Sequence, residues 1–152
     1  MTQENIQLIC DDPKSFLLKK QTVKELIIAK RARIKEWRAL ATDISFTLES
    51  GGGISSGGYK KSLVETSVCN IIDLESEIFD EITKLIAIEH DIIEAIQLLS
   101  DDRYRAVLEL HYLNGYNLNY ISRKLHYSID WVYRLHKAAL LDLQQCFKVR
   151  AC

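Results

Sequence analysis

The stretch LNYISRKLHYSIDWVYRLHKAALLDL, residues 118–143, decides how this chain is read. Leu118, Ile121 and Leu125 fall at helical spacing, and Asn117 stands ahead of them as an N-cap. Ser128 caps a second helix that turns Val132, Leu135, Ala139, Leu140 and Leu143 inward. A tight turn between Leu125 and Ser128 joins the two. Just upstream, Ser100-Asp101-Asp102 caps and acidifies the start of a further helix, as the helix dipole favours. Val107, Leu108, Leu110 and Tyr112 give that helix a buried face, and Asn114-Gly115 ends it, because both residues tolerate left-handed backbone. Residues 100–147 therefore read as a three-helix unit with a helix-turn-helix pattern.

Such a pattern has a physical requirement. The second helix must be held rigidly by the first, so that its N-terminal turns can enter a major groove. With Val132, Leu135 and Ala139 turned inward, the residues facing out are Ile129, Asp130, Tyr133, Arg134 and Lys137. Arg134 suits bidentate donation to guanine, and Tyr133 and Ile129 suit thymine methyls or sugar. Arg123 and Lys124, on the supporting helix, are placed to meet phosphates. With Ser128 at the cap, these residues make up the candidate DNA-contacting set. Asp130 is unhelpful near phosphates; it reads cytosine or caps its own helix. Trp131 is expected to pack against the supporting helix. Small three-helix units also serve as protein-binding modules, which keeps a protein-interaction adaptor as an alternative.

Outward from this unit lie two longer helices. Asp12-Pro13 is a helix start, with an acceptor at the cap and proline in the first helical position. Val23, Ile27, Ile34, Trp37, Ala41 and Ile44 then form a coiled-coil-like stripe over about 14–45, interrupted where Lys30 takes a seam position. Residues 47–62, TLESGGGISSGGYKKS, read as a flexible joint. A second helix is expected over about 62–99. Its stripe is Val64, Val68, Ile71, Leu74, Ile78, Ile82, Leu85, Ile88, Ile92, Ile96 and Leu99, at the heptad period. A flanking row at Ile72, Phe79, Ile86 and Ile93 repeats every seven residues and makes the apolar face wider than a two-helix seam requires. Self-association follows as an expectation, with a dimer favoured; the competing reading has the C-terminal helices fold back over that face.

Charge is arranged by segment. Residues 14–41 carry a net +7, residues 62–102 a net −10, and residues 112–152 a net +4, within a total of −1. Opposite charge on two neighbouring long segments favours their packing on each other. The expected architecture is all-α: a long antiparallel two-helix hairpin over 1–99, followed by the helix-turn-helix unit over 100–147.

Other classes are disfavoured. The 152 residues are 47% apolar and 27% charged, as in a folded domain. One proline and six glycines, five of them within 51–58, do not suit a β-sandwich. No apolar run has the length of a membrane span, and the N-terminus does not read as a secretory signal. Cys10, Cys69, Cys146 and Cys152 form no CxxC pair and the four histidines have no ligand spacing, so no metal, no disulfide framework and a reducing cytoplasm are expected. The run 53–62 resembles a phosphate loop only superficially, because Tyr59 precedes the lysines and no strand precedes the loop. No nucleophile, base and orienting residue converge, so neither catalysis nor a cofactor is expected.

The segment RYRAVLELHYLNGYNLNYISRKLHYSIDWVYRLHKAALLDL resembles region four of sigma factors. RALATDI, the Gly/Ser joint, NIIDLESEI, LLSDDRYRAVLELHYL and LHYSIDWVYRLHKAAL together resemble small phage and prophage proteins of Gram-positive bacteria similar to the RinA/ArpU-type late-gene transcription regulators. The resemblance spans about residues 35–145. It departs from the family at Leu118-Asn119-Tyr120-Ile121-Ser122, where many members carry a tryptophan and two acids. It implies a double-stranded DNA-binding transcriptional regulator of a mobile element, with RNA polymerase as a second partner. It does not imply a complete sigma factor, since no region-two-like segment is visible. A DNA-packaging protein similar in plan to a phage small terminase subunit is the runner-up.

Overall fold

The computed structural model describes residues 1–49 and 57–151, with the side chains of 1–43 and 65–149. The chain is all-α, with no strand among the described residues. Helix α1 spans Gln3–Asp11, α2 Pro13–Glu49, α3 Gly57–Gln97, α4 Asp102–Leu108, α5 Leu118–Lys124 and α6 Ile129–Ala151. A π-helical turn, Glu109–Leu113, continues α4.

Two of these boundaries depart from the sequence reading. Helix covers 47–49 and 57–62, where the joint was expected, because an established helix gains one hydrogen bond for each residue it adds. The centre of that joint, 50–56, and the stripe side chains Ile44 and Val64 lie outside the described residues. Helix α1 is an addition. The Thr2 hydroxyl accepts the Asn5 N–H, and the chain leaves the helix at Asp12 in an extended conformation. Asp12 then starts α2, accepting from the Lys14 N–H at 3.0 Å and from the Ser15 hydroxyl.

The chain forms two compact units, one of residues 1–22 with 85–152 and one of residues 23–84. In the first, Ile9, Phe16, Leu17, Ile92, Ile96, Leu99, Leu108, Leu143 and Phe147 make one core. The C-terminal end of α3 is thus covered by α1 and α6. Polar bonds fix the register: Asn5 Nδ2 donates to Asp91 at 2.6 Å, and Gln144 Nε2 to the Cys10 carbonyl at 2.8 Å. Lys20 reaches both Glu89, at 2.9 Å, and the Leu113 carbonyl, at 2.8 Å.

The second unit is α2 against α3, in opposite directions. Ile27 and Ile34 of α2 and Leu74 and Ile78 of α3 are buried along the seam. Lys30 occupies the seam position read for it and pairs with Glu77 at 3.1 Å and Glu81 at 3.7 Å; Arg38 pairs with Glu75. One stripe position is corrected. Val68 is exposed and Ser67 is buried in its place, because the alternation of three and four that runs through Ile71, Leu74 and Ile78 reaches back to 67. Ile72 and Phe79 of the flanking row also stay exposed.

Candidate nucleic-acid interface

A second cluster in the larger unit holds the candidate surface. Val107 of α4, Ile121 of α5, and Val132 and Leu135 of α6 are buried together, with Tyr104, Leu110, Leu118 and Leu125 packed around them. This small core fixes α5 against the first turns of α6. The turns between helices are built by local bonds. Gly115 takes the left-handed conformation after α4 at φ +74°, whereas Asn114 stays right-handed and donates to the Glu109 carbonyl. Asn117 caps α5, its side chain accepting the Tyr120 N–H at 2.7 Å. His126 is left-handed at φ 57°, and the Tyr127 N–H closes on the Ser122 carbonyl at 2.9 Å. Ser128 caps α6, its hydroxyl accepting the Trp131 N–H at 3.3 Å.

The spacing of α6 then sorts its side chains. Val132, Leu135, Ala139, Leu143 and Phe147 are buried, and Asp130, Tyr133, Arg134 and Lys137 are exposed along one face at i, i+3, i+4 and i+7. Neither Arg134 nor Lys137 makes an ion pair among the described residues. Ile129, expected to face out, is half-buried, and Ser128 is exposed beside it. Trp131, expected to pack against the supporting helix, is 40% exposed, since residue 131 lies about 100° around the helix from the buried line at Val132.

Arg123 and Lys124 end α5, where cations suit the helix dipole, and both are exposed. The Lys124 ammonium lies 4.9 Å from the centre of the Tyr116 ring and 6.0 Å from that of Tyr120, whose rings are 4.6 Å apart. Sequence reasoning missed these tyrosines. Their signal was there, in the spacing of four from 116 to 120 to 124. Arg123, Lys124, Arg134 and Lys137 are exposed cations, and Asp130 is the one acid of the set. The surface can donate to phosphate oxygens and to the acceptor edge of guanine, and it offers aromatic faces for stacking.

Behind this surface, the Tyr112 hydroxyl meets His136 Nε2, and His111 Nδ1 lies 2.7 Å from the Tyr116 carbonyl. Burial, helped by His111 and Lys14, pushes His136 down to about 4, and burial pushes the Tyr112 phenol up to about 12. Elsewhere His90, Asp91 and Glu94 bring three ligand atoms within 4.8 Å of one another on α3. Two of the three are exposed, and Asp91 is already engaged by Asn5 and the N-terminal amine. No disulfide joins the described cysteines. No helix is long and apolar enough to cross a membrane among the described residues. Compared with known protein families, curated proteins and solved structures, the chain matches none.

Proposed function

We propose that this protein is a sequence-specific double-stranded DNA-binding transcriptional regulator, of the phage and prophage kind that its C-terminal sequence resembles. In this reading α4, α5 and α6 are a helix-turn-helix and α6 is the recognition helix. The α2–α3 pair is the hairpin that brings copies together. The observation that carries it is the face of α6. Tyr133, Arg134 and Lys137 are exposed within the first turns after the cap, on a helix fixed by Val132 and Leu135 against Ile121. A structural helix on a solvated surface needs no such combination of a fixed backbone and two cations without ion-pair partners among the described residues. Arg134 reads guanine; Arg123 and Lys124 anchor phosphates, with Lys124 steadied over Tyr116. One such module buries only about 600–1,000 Å² on DNA, so a single copy binds weakly.

The test is binding to duplex fragments from the gene's own neighbourhood, by fluorescence anisotropy at two salt concentrations. Wild type selects one fragment and loses affinity as salt rises, because bound cations release counterions. Arg134→Ala lowers affinity for the preferred fragment by about 1–3 kcal/mol and narrows its advantage over other sequences. Lys137→Ala weakens all sequences alike and reduces the log–log salt slope by about 1. No preferred fragment, together with an Arg134→Ala/Lys137→Ala double variant that binds as wild type does, overturns the reading and directs attention to a protein partner, RNA polymerase first.

A further inference from the structure

The smaller unit leaves an apolar surface uncovered. On α3, Phe79 is 71% exposed, Ile72 59% and Val68 45%. They lie in one row, one step around the helix from the seam with α2, and residues 69, 76 and 83 beside them are cysteine, serine and threonine, all exposed and uncharged. Carboxylates border the row: Glu75 on the seam side, Asp73 and Asp80 on the far side. An apolar strip of this extent, rimmed by charge, marks a contact surface. A lone pair of helices also buries little: among the described residues four apolar side chains are buried along its seam. Its stability as an isolated element is correspondingly small.

The charge of the pair selects the occupant. On the same side of the seam, α2 presents a row of Lys24, Ile28, Arg31 and Lys35, with Ile28 58% exposed. The three cations make no ion pair among the described residues, and neither do Asp73 and Asp80. One molecule thus displays an apolar row edged by acids next to a basic row that carries an apolar knob. These two rows complement each other, and within one copy they lie side by side, each open to a partner. We propose that a second copy of this chain covers this face, two-fold related, so that α3 of each copy lies on α2 of the other. The lysine and arginine stems cover Ile72 and Phe79 while their charged ends reach Asp73 and Asp80. A two-fold axis makes both seams equivalent and closes the assembly at two copies. Placing α3 on α3 instead sets acids against acids. Two seams of about 30 Å bury roughly 1,200 Å² in total, the lower edge of stable specific interfaces. This inference rests on the reading of the α2–α3 pair as the element that brings copies together, and its test is independent of DNA binding.

The experiment is the mass of the full chain by sedimentation equilibrium over a concentration series, with far-UV circular dichroism as the check on folding. Wild type is dimeric. Phe79→Glu, at an exposed position, raises the dissociation constant by roughly tenfold or more while the helical signal is kept. Two further variants identify the pairing. Arg31→Glu/Lys35→Glu reverses α2, and Asp73→Lys/Asp80→Lys reverses α3; each alone dissociates, and an equimolar mixture recovers the dimer mass. A monomeric wild type overturns the proposal. So does a dimer unmoved by Phe79→Glu. A mixture that stays monomeric overturns the α3-on-α2 pairing. So does ready oxidation of Cys69 to a covalent dimer, which reports α3 against α3.

Discussion

The Tyr112 hydroxyl lies 3.0 Å from His136 Nε2. The contact ties the π-helical turn after α4 to the middle of α6. The phenol can pair with Nε2 of either tautomer, so what disfavours an imidazolium is its half-buried place beside His111.

A pH dependence of stability follows. His136 is held down at about 4 in the folded chain, by burial first and by His111 and Lys14 after it. In the unfolded chain it titrates near 6.5. Between these values the unfolded state binds a proton that the folded state refuses, so stability rises with pH through that window. The contribution is fully present above about 6.5 and is lost as pH falls toward 4. Thermal melts from pH 7.5 to 4.5 show a decline in Tm that is smaller in His136→Gln, which keeps an acceptor and does not titrate. Equal declines in the two proteins rule out His136 as the source.

The small core beneath the candidate surface gives a second outcome. Leu135 is 4% exposed among Val107, Ile121 and Val132, whereas Leu141 on the same helix is 52% exposed. Leu135→Ala costs about 2–5 kcal/mol through lost burial and the cavity left behind. Leu141→Ala changes stability by less than about 0.5 kcal/mol. Urea denaturation measures both, and similar costs at the two sites contradict the inward and outward assignment of α6.

How far the sequence told this is clearest element by element. Helix starts were legible because capping is local: Asp12-Pro13, Asp101, Asn117 and Ser128 all hold the cap bonds read for them. The exposed set Asp130, Tyr133, Arg134 and Lys137 was legible because the helical period alone separates it from Val132 and Leu135. Helix α1 was missed although Ile6, Ile9 and Cys10 carry the spacing; nine residues are too few for a decisive pattern, and its place is set by distant Ile92 and Ile96. Val68 was misplaced because an apolar residue outweighed the register that favours Ser67. The π-helical turn at Glu109–Leu113 has no periodic signature, and the Lys124–Tyr116 contact depends on a turn set by Gly115.

The turn before α6 supplies a third outcome. The Ser128 hydroxyl accepts the Trp131 N–H, one of the four N–H groups at that end with no partner inside the helix. Ser128→Ala lowers stability by about 1 kcal/mol, and Ser128→Asp retains it because aspartate caps as well. Denaturant melts compare the three proteins. If the aspartate variant falls as far as the alanine one, the hydroxyl is not acting as a cap.

Asp130 supplies the last. It is exposed one position into α6, on the same face as Tyr133, Arg134 and Lys137, and nothing among the described residues neutralises it. If that face approaches a duplex, the carboxylate opposes nearby phosphates. At about 4 Å in water two unit charges interact by about 1 kcal/mol, and salt reduces this further. Asp130→Asn therefore tightens binding to unrelated duplexes by about three- to fivefold at low salt, an advantage that shrinks as salt is added. Anisotropy titrations against a mixed-sequence duplex read this directly. A variant that binds unrelated DNA no better than wild type at any salt means that the first turn of α6 does not lie against the backbone, and the docking of this helix must then be redrawn.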